Sequence, residues 1–274
     1  MNLDKLSELG FNLYDVAAYD AGEITVKRFA PSNNCNDCYS VAKAFTMTAI
    51  GMLADEGRLT VDTPIGCVLT EADERWQRIT VEHALTHRIG YGTGLLDIDA
   101  EDVCAWGSTD YLALALKHET PYPPGTHYQY TDAAFYILSR VVARITGTTL
   151  QEFLRERLFN PLRFREVAFS FCPMGHAMGA TGLYISAADM LKLAITYIGG
   201  GVYEGRRIVS EAWVKTVLEK GYEFGRMSDG FYGKGGMYGQ MLMFNPERKR
   251  AYAFHTFTKN HDIAPLIRCL IEMP

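Results

Sequence analysis

The sequence predicts an α+β fold, an α/β sandwich in which an antiparallel sheet is flanked by helices, with an inserted all-helical domain. Short β-favouring runs occur near both ends of the 274-residue chain, and helical patterns fill its middle. No linker rich in proline, glycine and serine divides the chain. A sheet built from both chain ends, with the helices inserted between its strands, accounts for this order.

The first elements are predicted to be a β-hairpin and a long helix. Residues 11–18 and 22–29 favour strands and are separated by the turn Asp20-Ala21-Gly22. Residues 40–56 have helix-forming composition, and Gly57 can end that helix.

Helices are predicted for the middle of the chain. Thr149 and Glu152 form a capping-box pair, and Ser186 and Ser210 stand where they can cap two further helices. The candidate helices are 80–87, 109–118, 132–146 and 149–158.

The last part of the chain returns to strands. Residues 237–244 and 250–257 are β-rich and flank a turn at 245–248, which predicts a second hairpin. A closing helix is expected at about 261–272, after Asn260.

Charge and hydropathy exclude several classes of protein. The chain has 27 Lys and Arg against 32 Asp and Glu, a net charge of −5, so it lacks the basic surface of a nucleic-acid or anionic-membrane binder. No apolar run approaches the roughly 18 residues of a membrane span. The first residues contain no apolar segment typical of an export signal. We therefore expect a cytoplasmic protein.

Cysteine and histidine spacings give no metal site. Cys35 and Cys38 are a close pair, but no second pair follows at zinc-finger spacing. A redox pair remains open, and two unrelated loop thiols are the favoured interpretation. His83 and His87 have a metal-like spacing without the glutamate of a zinc hydrolase, which favours capping and packing roles.

Ser40 and Lys43 open the first long helix and are candidates for catalysis. A spacing of three places the hydroxyl and the ammonium on one helical face, about one turn apart. A lysine with a lowered pKa can accept the serine's proton, and a helix N-terminus favours a developing oxyanion. Ser40 is the only serine with a lysine three residues later, although a surface lysine on an amphipathic helix has the same spacing.

Tyr130 and the segment Lys234-Gly235-Gly236 are two further candidates. Tyr130 ends a turn-rich segment directly before a helix, where its hydroxyl could transfer protons in a cleft. Asp132, two residues later, is a good N-cap. The lysine–glycine segment precedes a strand expected to begin near Met237, and its glycines permit close backbone approach. A glycine-rich turn with a solvated lysine is the alternative.

Taken in this order, the three patterns resemble those of the serine β-lactamase and penicillin-binding protein superfamily. They are Ser-x-x-Lys opening a helix, a variant of Tyr-x-Asn in a helical insertion, and a variant of Lys-Thr-Gly before a strand. The chain is most similar to the class C branch and its related serine esterases and D-amino-acid peptidases. The resemblance covers nearly the whole chain, with flanking segments at 84–87, 124–132, 182–190 and 239–247.

The resemblance implies an acyl-serine mechanism that needs no metal or organic cofactor. Ser40 would attack a carbonyl of a small-molecule substrate, and Lys43 and Tyr130 would share the proton transfers. Lys234 would hold Tyr130 in its ionisable state or meet a substrate carboxylate. The amides of Ser40 and Met237 would form the oxyanion hole, and water would hydrolyse the acyl-enzyme.

Two departures from the family pattern concern the substrate-binding residues, which are expected to be Asp132, Gly235, Gly236 and Met237. Asp132 replaces an asparagine, and a carboxylate cannot donate the hydrogen bond that an amide donates. Gly235 replaces a threonine or serine whose hydroxyl commonly meets a substrate carboxylate. Both changes point away from efficient β-lactam turnover.

The resemblance also implies a division into a sheet domain, 1–60 with 170–274, and a helical domain, 61–169. The leading hypothesis is a serine hydrolase that acts on a small ester or amide. A true β-lactamase or D,D-peptidase is the alternative within the enzyme class. A catalytically weak member that binds a ligand is the alternative outside it.

Overall fold

The computed structural model describes residues 2–31, 33–258 and 262–273. Its strands are β1 (Leu13–Asp20), β2 (Glu23–Arg28), β3 (Asn36–Asp37), β4 (Val167–Phe169), β5 (Leu183–Ile185), β6 (Val202–Tyr203), β7 (Arg206–Arg207), β8 (Gly225–Arg226), β9 (Tyr232–Gly235), β10 (Met241–Asn245) and β11 (Arg250–Thr256). Its α-helices are α1 (Ala42–Asp55), α2 (Ile65–Val68), α3 (Val81–Leu85), α4 (Tyr111–Lys117), α5 (Asp132–Thr146), α6 (Leu150–Leu154), α7 (Ala187–Ile198), α8 (Glu211–Lys220) and α9 (Ala264–Glu272). Within these ranges, none of the helices has the length and apolar content that crossing a membrane requires.

Strands from opposite ends of the chain lie side by side in a six-stranded antiparallel sheet. The strand order is β2-β1-β11-β10-β9-β8. Val16 of β1 pairs with Phe254 of β11 in the middle of the sheet. This order confirms the predicted sheet built from both chain ends.

The two faces of the sheet are covered by different helices. Phe254 belongs to a hydrophobic core that includes Leu266 of α9. On the other face, the ring of Phe244 lies 6.0 Å from that of Tyr197 in α7. Successive residues of a strand point to opposite faces. Burial on both faces therefore explains why β10 is apolar along most of its length.

The inserted helices are organised around α5, which contacts α1, α3, α4 and α6. In α1, every residue from Ala42 to Leu53 is buried. A helix that is buried all round has no polar face, which explains its nearly continuous apolar sequence. Lys43 is the one charged residue within this buried stretch.

Helix caps confirm the predicted helix starts. Thr149 and Glu152 form a reciprocal capping box at α6. Ser186 caps α7 and Ser210 caps α8, each by accepting a hydrogen bond from a backbone amide three residues later. Each such cap stabilises its helix by about 1 kcal/mol.

The tail differs from its predicted boundaries at two points. The hairpin around 245–248 is confirmed by the pairing of β10 with β11, but β10 begins at Met241. Gly239 has a φ of 91°, which an extended strand cannot accommodate, so the residues from 237 form a turn instead. α9 begins at Ala264, and the predicted start after Asn260 lies outside the described residues.

The chain divides into two compact units. The sheet unit comprises the chain up to Val41, Leu158–Ala168 and the chain from Leu183 onward. The helical unit comprises Ala42–Arg157 and Phe169–Gly182, and it contains α1 to α6. The first boundary, expected near residue 60, falls in this division at the start of α1.

Candidate active site

Ser40 lies in a 3₁₀ turn, Tyr39–Val41, that leads directly into α1. We call this turn, together with Cys38, whose carbonyl accepts a hydrogen bond from the Val41 amide, the serine turn. The turn is anchored in the sheet unit, since the Cys38 amide donates a hydrogen bond to the carbonyl of Leu183 at 2.9 Å. Tyr39 has a φ of 48°, in the left-handed region, which makes the turn tight. Ser40 is half-buried, and it stands at the helix N-terminus, where the helix dipole favours negative charge.

Lys43 is a completely buried lysine of the helical unit. Its Nζ donates hydrogen bonds to Asp132 Oδ1 at 2.6 Å and to the carbonyl of Ala180 at 2.9 Å. Nζ also lies 4.8 Å from the centre of the Tyr130 ring. Because a buried charge is costly unless it is paired, Asp132 accounts for the presence of a lysine in the apolar helix α1.

Tyr130 is brought to Lys43 by the loop that precedes α5. Its side chain is partly exposed, and its ring lies 4.5 Å from that of the buried His87. A Cβ added at Gly94 would lie 3.1 Å from the Tyr130 carbonyl oxygen. Packing on both the ring and the backbone therefore fixes this tyrosine beside the lysine.

Asp132 is the first residue of α5 and not its N-cap. Thr131 caps the helix, since its hydroxyl accepts a hydrogen bond from the Ala133 amide at 3.2 Å. Both residue types cap helices well, so the sequence could not separate two adjacent candidates. In the structure, Asp132 forms an ion pair with Lys43. This pairing satisfies the carboxylate of a residue that is only 6% exposed.

Two acidic residues beside Asp132 were not identified from the sequence. Carboxylate oxygens of Asp97, Asp99 and Asp132 lie within 4.8 Å of one another. Burial raises the pKa of Asp97 and of Asp99; the Asp132 charge raises both further, while a hydrogen bond from Thr181 lowers that of Asp99. Such oxygen donors suit Mg²⁺ or Ca²⁺, but the Lys43 ammonium already balances Asp132.

Lys234 and Gly235 lie inside β9, and the prediction that they precede a strand is wrong. Lys234 is paired with Leu242 of β10. Met237, where the strand was expected to begin, lies in the turn after β9. Glycine is depleted in strands, so Gly233 and Gly235 concealed this strand in the sequence. Its pairing with β10 maintains it as a strand.

Gly236 brings the end of β9 against the serine turn. A Cβ added at Gly236 would lie 2.7 Å from the carbonyl oxygen of Cys38 and 2.8 Å from Oε1 of Gln240, which leaves no room for a side chain. At Gly235 the nearest atom would be Cε of Met241 at 3.5 Å, an ordinary contact. Close approach to the serine turn therefore requires a glycine at 236 and not at 235.

Lys234 forms an ion pair with Glu223 in the sheet unit. The two side chains are 13% and 3% exposed. Glu223 follows α8 and has a φ of 52°, in the left-handed region. No local sequence pattern indicates this partner, because the contact depends on β8 pairing with β9.

An aromatic row lies next to Ser40 in the sheet unit. The ring of Tyr39 lies edge-on to that of Tyr238, with centroids 4.9 Å apart. Tyr238 in turn stacks on Phe257 at 4.6 Å. Phe257 and Met237 remain exposed, so this surface can accept an apolar part of a substrate.

The two histidines have the predicted capping and packing roles. Nδ1 of His83 accepts a hydrogen bond from the Thr80 amide at 3.1 Å and completes a capping box at α3. His87 is buried against the rings of Tyr130 and Phe135.

Cys35 and Cys38 are thiols and form no disulfide. The Cys35 thiol donates to the carbonyl of Glu166 at 3.7 Å, and Cys38 is completely buried. Burial raises the pKa of the Cys35 thiol, and the negative charges of Glu166 and Asp189 raise it further. A raised pKa disfavours the reactive thiolate, which supports two unrelated thiols over a redox pair.

Sequence comparisons relate the chain to one family model and to several curated proteins. The family model described as Beta-lactamase matches residues 16–265. Penicillin-binding protein 4 of Amycolatopsis lactamdurans is 30% identical over 206 residues, which are 63% of this chain and 53% of that protein. The 6-aminohexanoate-dimer hydrolase of Paenarthrobacter ureafaciens is 25% identical over 221 residues, which are 74% of this chain and 55% of that protein. The chain thus spans about half the length of these curated relatives.

A solved structure shows the same fold along nearly the whole chain. It is that of a candidate 6-aminohexanoate-dimer hydrolase from Bacillus anthracis, with a TM-score of 0.85 and 18% identity. The likeness covers 99% of this chain and 80% of that chain. The predicted β-lactamase/transpeptidase-like α+β fold is confirmed.

Proposed function

Because the chain belongs to the beta-lactamase family, we propose that it is a serine hydrolase that forms an acyl-enzyme on Ser40 with a small ester or amide. The observation that carries the proposal is the segment from the Ser40 turn into α1. It places a half-buried serine at a helix N-terminus, three residues before a lysine that is buried and paired with Asp132.

In the proposed reaction, the Ser40 Oγ forms a bond to the substrate's acyl carbon. The hydroxyl proton is taken by the unprotonated member of the pair Lys43 and Tyr130 and is passed to the leaving alcohol or amine as the C–O or C–N bond breaks. Water then attacks the acyl carbon, the ester bond to Ser40 breaks, and Oγ regains a proton. Asp132 stabilises the ammonium form of Lys43 whenever that residue holds the proton.

The oxyanion that develops during each step would be bound in the sheet unit. We assign its two donors to the backbone amides of Ser40 and Met237, an assignment supported by the close approach of Gly236 to the Cys38 carbonyl. Gly235, Gly236 and Asp132 would contact the substrate. Lys234 supplies positive charge on β9, and its pairing with Glu223 decides how much of that charge a substrate meets.

Covalent labelling tests the proposal. After treatment with a fluorophosphonate, intact-mass spectrometry should show one adduct, and Ser40→Ala should abolish it. The exposed Ser108 provides the control, because Ser108→Ala should leave the adduct unchanged. An adduct that persists in Ser40→Ala, or its absence from the wild-type protein, would contradict the assignment.

The likeness to a penicillin-binding protein favours a second candidate, a true β-lactamase or D,D-peptidase. Asp132 cannot donate the hydrogen bond of an amide, and Gly235 has no hydroxyl. We therefore expect nitrocefin to be hydrolysed much more slowly than p-nitrophenyl esters. Faster turnover of nitrocefin would replace the first candidate with the second.

The expected partner is a small-molecule substrate, and a cytoplasmic location stays a prediction. Fractionation of cells that produce the protein, followed by immunodetection, would check the location.

A further inference from the structure

The position of Lys234 makes it the cation that β9 presents near the serine turn. It lies two residues before Gly236, whose backbone contacts the Cys38 carbonyl. Its side chain keeps 13% exposure, so part of it remains in reach of solvent while most of it is buried. Any anionic group on a substrate at Ser40 would be attracted to this lysine.

Glu223 compensates that charge from a fixed position. Its neighbours Tyr222 and Phe224 are buried, and the next residue, Gly225, pairs with Gly233 of β9. Its left-handed backbone conformation is disfavoured for a glutamate. The strand pairing beside it holds Glu223 in this conformation, with its carboxylate on Lys234.

In the helical unit, Lys43 is likewise compensated by carboxylates. Lys43 is paired with Asp132, and the carboxylates of Asp97 and Asp99 lie beside that pair. Neither of the two lysines assigned to the reaction therefore offers an uncompensated positive charge. A substrate carboxylate would meet negative charge beside each of them.

We propose that Glu223 determines the charge specificity of the hydrolase, so that it acts on esters and amides whose acyl part is uncharged and discriminates against those that carry a carboxylate. This inference rests on the proposed serine-hydrolase function. Glu223 pairs with Lys234 and thereby withdraws the positive charge that an acyl carboxylate needs as its partner. Its own carboxylate adds repulsion to the same group.

Two esters that differ only in charge provide the test. p-Nitrophenyl hexanoate is neutral, and mono-p-nitrophenyl adipate carries a carboxylate at the end of an acyl chain of similar length. The wild-type enzyme should hydrolyse the neutral ester with the higher kcat/KM. Glu223→Gln keeps the size of the side chain and removes its charge, and it should raise the ratio of anionic to neutral kcat/KM by about tenfold or more.

Three further variants separate charge from structure. Glu223→Asp keeps the charge and should keep the wild-type ratio. In Glu223→Gln/Lys234→Met, the gain for the anionic ester should disappear, because the cation that it exposes is gone. Glu219→Gln removes one negative charge from an exposed pair with Lys215 and should leave the ratio unchanged.

Several results would overturn the inference. They are a wild-type enzyme that prefers the anionic ester, or a ratio that Glu223→Gln and Glu219→Gln change equally. If Glu223→Gln fails to fold, Glu223→Ala takes its place, since it also removes the charge and should raise the ratio in the same direction. Failure of the underlying function is distinguishable, because Ser40→Ala would then hydrolyse the neutral ester as fast as the wild type.

Discussion

Lys43 and Lys234 both face a carboxylate, but the two ion pairs are built on different supports. Lys43 is completely buried in α1, and its partner Asp132 is the first residue of α5. A second acceptor, the carbonyl of Ala180, completes its environment. Lys234 lies on a strand with partial exposure, and Glu223 reaches it from a loop with a left-handed backbone.

This difference indicates different roles for the same chemistry. A charge with no access to water depends on its partner for the stability of the fold itself. A charge at the edge of solvent can lose its partner and become hydrated. We therefore expect the Lys43 pair to stabilise the fold and to hold the lysine that we propose for the proton transfers, and the Lys234 pair to adjust which substrates are accepted.

The largest expected effect comes from breaking the buried pair. Asp132→Ala leaves the Lys43 ammonium without its carboxylate and should reduce the free energy of unfolding by about 3–5 kcal/mol, as measured by urea denaturation. Glu223→Ala should cost less, because Lys234 keeps access to water. Equal losses in the two variants would remove the distinction between the pairs.

Controls separate burial from charge loss in that experiment. Glu219→Ala removes a carboxylate from the exposed pair with Lys215 and should change stability by no more than about 0.5 kcal/mol. Replacing both buried partners, as in Lys43→Met/Asp132→Leu, should recover part of the stability that Asp132→Ala loses. If the double variant is less stable than Asp132→Ala, desolvation is not the cause.

The next largest loss of stability and activity is expected from a substitution at Gly236, directly after the strand β9 that carries Lys234. Gly236→Ala would press a Cβ against the Cys38 carbonyl, at 2.7 Å. It should cost about 1–3 kcal/mol in stability and lower kcat/KM for a p-nitrophenyl ester by about 100-fold, since the serine turn must shift.

Its neighbour in the same strand is the matched control. The added Cβ of Gly235→Ala would meet the Met241 methyl at 3.5 Å and the Gln240 carbonyl oxygen at 3.7 Å, both ordinary contacts, and should change stability by less than about 0.5 kcal/mol. If the two alanine variants lose stability equally, the close contact at 236 is not what limits that position to glycine.

The residues beside the starts of α1 and α5 were more predictable from the sequence than those on and beside β9. Ser40, Lys43 and Tyr130 occur beside helix starts, where periodicity and capping residues give clear local signals. The N-cap of α5 shows the limit of such signals, because aspartate is on average the better N-cap and yet Thr131 caps the helix. Only the contact between Asp132 and Lys43, 89 positions apart in the chain, decides between them.

The Lys234 region depends on pairing that no local pattern records. Two glycines concealed β9, which is a strand because it pairs with β10 on one side and β8 on the other. Glu223 reaches Lys234 through the β8–β9 pairing, so its spacing of eleven residues carries no information by itself. Close approach at Gly236 is likewise a property of the folded backbone.

The smallest expected effect sharpens the comparison through the acidic residues near Lys43. Burial, followed by the charge of Asp132, raises the pKa of Asp97. A carboxyl group whose pKa is raised in the folded state stabilises the fold fully below its unfolded pKa of about 3.9, and this contribution is lost as pH rises through the raised value.

Asp97→Asn stays neutral at every pH. It should be more stable than the wild type near pH 7, by no more than about 1 kcal/mol since Asp97 is only half-buried, and the advantage should vanish toward pH 4. Urea denaturation at a series of pH values between 4 and 7.5 measures this difference in stability. If the stability advantage of Asp97→Asn grows toward acid pH instead, the ionised Asp97 carboxylate stabilises the pair of Lys43 and Asp132. The negative charge around Lys43 would then help to hold that lysine in place.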